Sequence, residues 1–266
     1  MSWRFESVAK APILKRPILI EGLPGIGNVG KIAADFIVEK ISAKKIYVIS
    51  SYTLPHSVFV KEDNLIEMPC IEVYYKKYGD PKRNDLLFLT GDVQPIDEVS
   101  CYEFCDNILD MFERFNGSEV VTLGGIGLQN VPKTPRVYCT GNSKDIVQKY
   151  IEGTDATNRI YGVVGPIVGV SGLLLGLAKK RDIKAVSLLA ETVGHPMYLG
   201  IKGAREILRV LNLKLNLDID LAEMDKEIKG IESEIIKRTK ELNQISKETA
   251  LKKIEGKFGK DVVYIG

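Results

Sequence analysis

Histidine is almost missing from this chain: among 266 residues only His56 and His195 occur. Serine–histidine and cysteine–histidine catalysis both need an imidazole beside the nucleophile, so this scarcity leaves few such schemes open. The four cysteines, Cys70, Cys101, Cys105 and Cys139, form no CxxC pair, and Cys101 and Cys105, spaced i,i+4 on an expected helix, lie far from both histidines along the chain. That spacing argues against a structural zinc site and for buried free thiols. A disulfide framework is not expected at this length and cysteine density. An excess of either charge is lacking too: lysine and arginine number 37, aspartate and glutamate 35, for a net charge of +2. There is thus no bulk electrostatic case for nucleic acid or an anionic membrane. No apolar run reaches the length of a membrane span, and the most apolar stretch, Gly162–Ala178, is broken by glycines and by Pro166. The opening residues, Met-Ser-Trp-Arg-Phe-Glu, carry no apolar signal core, which makes a cytoplasmic location the expectation.

What is there is ordinary globular material, 45% hydrophobic and 27% charged, enough to bury a sizeable core. Arg16–Glu21 reads as a short apolar strand, followed by the glycine-rich run 22–30. Lys31–Ile41 then shows apolar residues on one side of a helix, and Lys45–Ser50 is β-branched. A strand–loop–helix–strand start of this kind predicts an α/β fold with a largely parallel sheet. Further strands are expected over Leu65–Lys76, Asp85–Thr90, Glu119–Leu123, Arg136–Thr140, Val163–Val170 and Lys184–Leu189. Helices are expected over Glu98–Phe115, capped by Asp97, and over Leu173–Arg181 and Gly200–Leu211. Nearly every strand ends in a glycine-bearing loop, and in open α/β sheets such ends converge on a ligand-binding edge.

The run Gly25-Ile-Gly-Asn-Val-Gly30 has the spacing of a dinucleotide-binding turn, and Gly25, Gly27, Gly30 and Lys31 together approach a phosphate-binding loop. The chain lacks two partners that such chemistry requires. Ile32 stands where a P-loop needs a hydroxyl for magnesium, and Ser50-Ser51-Tyr52-Thr53 supplies no acid for a ribose. A tight strand–helix connection that needs glycine for steric reasons is the competing account. Glu191 and His195 place a carboxylate and an imidazole near one strand end, a spacing open to acid–base work or to a purely structural role.

Composition changes after about Leu217. Residues 1–217 read as the α/β core domain, 218–255 as a charged amphipathic helix, and 256–266 as a tail. Leu221, Met224, Ile228, Ile231, Ile235, Leu242 and Ile245 follow spacings of three and four, interrupted at Arg238, which is a heptad seam. Such a helix either docks on its own domain or serves oligomerisation, and an exposed isoleucine seam makes a homo-oligomer the expectation. The tail ends in Val263-Tyr264-Ile265-Gly266, unusually apolar for a solvated terminus.

Several segments, taken in order, resemble the archaeal branch of the proteasome assembly chaperone family. They are Gly22-Leu-Pro-Gly-Ile-Gly-Asn-Val-Gly30, Gly91-Asp-Val-Gln-Pro95, Thr122-Leu-Gly-Gly125, Gly165-Pro-Ile-Val-Gly-Val-Ser-Gly172 and Leu188-Leu-Ala-Glu-Thr192. The resemblance implies an α/β/α sandwich similar to the nucleoside phosphorylase fold. It also implies a non-catalytic role, without cofactor or metal, in binding proteasome α subunits or the core particle. A C-terminal hydrophobic–tyrosine–any tripeptide docks on the proteasome in that family. Val263, Tyr264 and Ile265 match the tripeptide, with Gly266 as one residue more. Assembly chaperone and activator both fit this resemblance. The alternative is a nucleotide- or phosphate-binding enzyme that uses the glycine loops, and the resemblance implies that such an enzyme would be ATP-grasp-like or phosphorylase-like.

Overall fold

A computed structural model describes residues 3–60, 63–130, 133–195 and 198–226. Its centre is an eight-stranded sheet built from β1 (Trp3–Ser7), β2 (Ile18–Glu21), β3 (Lys44–Ser51), β6 (Ile71–Lys76), β7 (Leu86–Gly91), β8 (Glu119–Leu128), β9 (Val137–Gly141) and β10 (Lys184–Val193). The remaining strands, β4 (Phe59–Val60) and β5 (Ile66–Glu67), form a separate two-stranded hairpin. The helices are α1 (Val29–Lys40), α2 (Glu98–Arg114), α3 (Lys144–Ile151), α4 (Val170–Lys180) and α5 (Ile201–Leu215).

The strand order is β1-β3-β6-β7-β2-β8-β10-β9. Only the central four strands, β7-β2-β8-β10, are mutually parallel, and every outer pairing is antiparallel. The largely parallel sheet read from the opening strand–helix–strand run is therefore corrected to a mixed one. β3 does not lie beside β2, because β6 and β7 stand between them.

The central strands are apolar on both sides, as strands covered by helices on each face must be. Every residue of β2 and β7 is buried. Alternate residues Leu19, Leu87, Leu89, Val120 and Ala185 meet α2 and α4 in one continuous core, while α1 and α5 pack on the other face. The result is a three-layer α/β/α arrangement. α2 forms because Asp97 accepts the Ser100 amide at 2.9 Å, and because Cys101, Phe104, Cys105, Ile108, Leu109, Met111 and Phe112 make one buried stripe. That cap holds the Asp97 carboxyl below its usual range. Phe104 and Phe112 are fully buried, each contributing about 1.5–3 kcal/mol of apolar transfer. The thiols of Cys101, Cys105 and Cys139 are free and buried, and burial pushes Cys139 up to about 12.

Elements outside the sequence reading include α3 and β1. α3 is tied down by Glu119, which accepts the Tyr150 hydroxyl at 2.6 Å and pairs with Lys149 at 2.7 Å. β1 holds the sheet edge. Val163–Val170, expected as a strand, is a loop up to the start of α4. Gly169 adopts φ 81° there, and Pro166 has no amide to give to a ladder. β8, by contrast, runs on through Gly124, Gly125 and Gly127 to Leu128, since β10 pairs with it along that whole length.

A compact unit extends to Ile219, and residues 220–266 form a second unit. Of the seam positions, Leu221 and Met224 fall in the described stretch 220–226, where the Asp225 amide donates to the Leu221 carbonyl. Ile228, Ile231, Ile235, Leu242 and Ile245 lie outside the described residues. So do Val263, Tyr264 and Ile265. Among the described residues no helix is long and apolar enough to cross a membrane.

Candidate functional site

The four parallel strands end on one edge of the sheet, and the helices that follow them part company there. α1, after β2, goes to one face, and α2, after β7, goes to the other. Loops that diverge at such a switch point leave a crevice between them. Here it has a volume of about 580 Å³ and is lined by Leu23–Ile26, Gln94–Ile96, Leu123–Gly127 and the 163–169 loop.

The cleft wall is mostly apolar. Ile26, Ile96, Val163 and Val168 stand at it with large exposed surfaces, 76% for Ile96 and 81% for Val168. Its polar groups already serve the protein. Gln94 donates from Nε2 to the Pro24 carbonyl at 2.7 Å and accepts the Val170 amide through Oε1 at 3.4 Å, so it ties two lining loops together. Behind the wall lies Glu21, fully buried, which accepts the Leu23 amide at 3.0 Å and the Ser171 hydroxyl at 2.8 Å. Burial pushes its carboxyl up to about 7, against the pull of those two donors.

The glycine loop is explained by packing. A β-carbon on Gly30 would lie 2.3 Å from the Leu123 carbonyl oxygen, and one on Gly22 would lie 2.3 Å from that of Gly30. Glycine here lets α1 approach β8 closely. Gly27 adopts φ 61° against the Thr192 side chain. A β-carbon on Gly25 would meet nothing within 4 Å. Lys31 forms an i,i+4 ion pair with Asp35 at 2.8 Å. A phosphate-gripping lysine would have to leave that carboxylate.

Glu191 and His195, read together from sequence, have separate surroundings. Glu191 is buried, with the Arg136 side chain at 2.8–2.9 Å, the Arg136 amide at 2.9 Å and the Tyr138 hydroxyl at 3.2 Å. These donors hold its carboxyl below the usual range despite burial. His195 lines a shallow opening beside Gly25–Asn28 and Gly194. Sequence reasoning missed Glu21, Gln94 and Arg136. A glutamate closing an otherwise apolar strand was the available signal for Glu21. The Glu191–Arg136 pairing joins residues 55 positions apart and left none. Among the described residues no cluster of three or more histidine, cysteine, aspartate or glutamate side chains could hold a metal ion.

Fold and cleft thus define a mixed α/β protein with a large central sheet, helices on both faces and an apolar crevice at the strand ends. The chain belongs to the PAC2 family, which it matches over residues 19–238. It is 30% identical over 253 residues to the uncharacterised protein MJ1210 of Methanocaldococcus jannaschii, covering 95% of this chain and 93% of the relative. Its structure resembles that of PbaB, described as an archaeal proteasome activator from Pyrococcus furiosus. The TM-score is 0.82 at 31% identity, over 90% of this chain and 99% of that one. PbaA of the same organism, described as an archaeal homologue of proteasome-assembly chaperone, has the same fold at 24% identity and a TM-score of 0.73, over 93% and 97% of the two chains.

Proposed function

We propose that this protein is a non-catalytic proteasome assembly chaperone or ATP-independent activator that binds proteasome α subunits or the core particle. The observation that carries the reading is the end-to-end likeness to a solved archaeal proteasome activator. The character of the cleft supports it: the crevice is apolar-walled, and Gln94, Glu21 and Ser171 are engaged within the protein rather than presented to a ligand. An exposed apolar rim suits protein contact better than phosphate binding. On this reading the α/β/α layers are a nucleoside phosphorylase-like scaffold used for binding. The heptad-patterned segment 218–255 builds a homo-oligomer, and Val263, Tyr264 and Ile265 enter pockets on the proteasome, where several tails on one oligomer add avidity. The setting is cytoplasmic.

The test is a pull-down of purified core particle and free α subunits by the full chain and by a chain lacking Val263–Gly266. Binding by the full chain, weakened by the deletion, is the expected result. Unchanged binding after deletion would remove the tail from the mechanism, and no binding by the full chain would overturn the proposal.

A further inference from the structure

A second cavity, far in sequence from the strand-end cleft, lies between β1, the 11–14 segment and the C-terminal half of α2. Its volume is about 840 Å³, and Trp3, Phe5, Tyr47, Met111 and Phe115 supply much of its lining. Ile13 stands at it 87% exposed. Trp3 packs on Phe104 at 4.6 Å between ring centroids, and its indole N–H is buried without a hydrogen-bond partner.

The same residues form a sheet edge. β1 pairs with β3 in the register Trp3↔Ser51 to Ser7↔Tyr47. Beyond it the Val8 amide donates to the Ile46 carbonyl at 2.9 Å. Antiparallel ladders alternate, so stepping back by twos from Val8 puts the backbone groups of Glu6 and Arg4 on β3. Those of Trp3, Phe5 and Ser7 point away from it. Among the described residues no strand takes them up. Two of the three residues that offer their backbone outward, Trp3 and Phe5, also line the cavity from β1. At the rim, Arg114 is exposed and pairs with no carboxylate among the described residues, whereas its neighbour Asp110 is already engaged by Arg181 at 2.6 Å. Arg181 is shared by Asp106, Asp110 and Glu113, so the charge here is mixed, and Arg114 is the cavity-lining cation without a carboxylate partner among the described residues.

We propose that the β1 edge is a docking site for an extended peptide of a partner protein. The peptide adds a strand to β1, seats a bulky apolar side chain in the cavity and places an acidic group on Arg114. Backbone pairing supplies affinity in such strand addition, while the pocket and the cation supply selectivity. This site is separate from the proteasome-binding reading and does not depend on it.

The chain carries its own reporter, since Trp3 is the sole tryptophan. Random dodecapeptides displayed on phage are panned against the full chain, and tryptophan-free synthetic versions of the enriched sequences are titrated while Trp3 fluorescence is followed. The expected result is enrichment of alternating apolar sequences with an aspartate or glutamate beside the bulkiest residue, and a saturable change in Trp3 emission. Ser7→Pro removes one outward amide without touching a β1–β3 bond. It should weaken binding about tenfold, the equivalent of one hydrogen bond. Arg114→Glu should weaken acidic peptides at least as much and spare peptides with the acid replaced by lysine. Melting curves establish that both variants fold. If Ser7→Pro does not, peptides methylated on alternate backbone nitrogens test the same pairing on the native chain. Failure of any sequence to enrich, a silent Trp3, or variants that bind like the native chain would overturn the proposal. So would a change in sedimentation caused by Ser7→Pro or Arg114→Glu, which would assign the edge to a second copy of this chain.

Discussion

Glu21 is the residue whose protonation the fold controls most directly. Its ordinary value is 4.5 and its folded value about 7, with burial as the largest cause. Between those values the folded chain holds a proton that the unfolded chain has released. Stability from this group is intact below 4.5 and declines as pH rises through 7. A shift of this size corresponds to about 3 kcal/mol. Glu21→Gln keeps an acceptor for Leu23 and a donor for Ser171 but cannot ionise. Urea unfolding at pH 5 and pH 8 should show the variant gaining about 1–3 kcal/mol on the native chain at the higher pH. Parallel pH profiles for the two proteins would mean that the folded state does not hold this carboxyl protonated. Cys70 is also controlled by its surroundings: burial, with Glu72 and Asp92 nearby, pushes it up to about 11.

At the scale of elements, α1 is fixed by what its glycines allow. Gly30→Ala would place a methyl against the Leu123 carbonyl, a backbone atom that cannot yield cheaply. It should cost about 2–4 kcal/mol by thermal or urea unfolding. Gly25 sits in extended backbone, φ −155°, with open space beside it, so Gly25→Ala should stay within about 0.5 kcal/mol. A phosphate-gripping loop would respond differently, with both substitutions abolishing stabilisation by nucleotide or phosphate in a thermal-shift titration. The expected outcome is no such stabilisation in the native chain. α2 and α4 are held by a shared core and by Arg181, which reaches Asp106 at 2.7 Å, Asp110 at 2.6 Å and Glu113 at 3.1 Å. Their carboxylates are half exposed, which keeps the worth of this cluster to about 1 kcal/mol.

For the whole molecule, one compact unit runs to Ile219. There Asn212 accepts the Ile219 amide and donates to its carbonyl, both at 3.1 Å. A chain ending at Ile219 should therefore fold with a melting temperature within a few degrees of the full chain. Sedimentation of that truncated chain tests the heptad segment: loss of the oligomer assigns assembly to residues 220–266, and an unchanged oligomer assigns it to the α/β unit. The eight-stranded sheet leaves β1 and β9 as its two edges. The β1 edge has an aromatic cavity of about 840 Å³ beside it.

What the sequence by itself determined is local. Apolar periodicity and a side-chain cap were enough to read α2 and its Asp97 start, and continuous apolar runs were enough for β2, β7 and β10, because these elements bury their own residues whatever stands opposite. The glycine-bearing strand ends were legible too, but only the four parallel strands bring theirs to one edge, which the strand order decided. The order of the strands was decided only in three dimensions, because pairing partners such as β2 and β8 are about a hundred residues apart and no short-range pattern encodes them. The meaning of the glycine run was decided there too. A motif spaced for phosphate became a packing contact once the Leu123 carbonyl was found against Gly30. Whether a glycine admits a ligand or a neighbouring strand depends on what fills the space its missing side chain leaves, and only the folded chain puts something there.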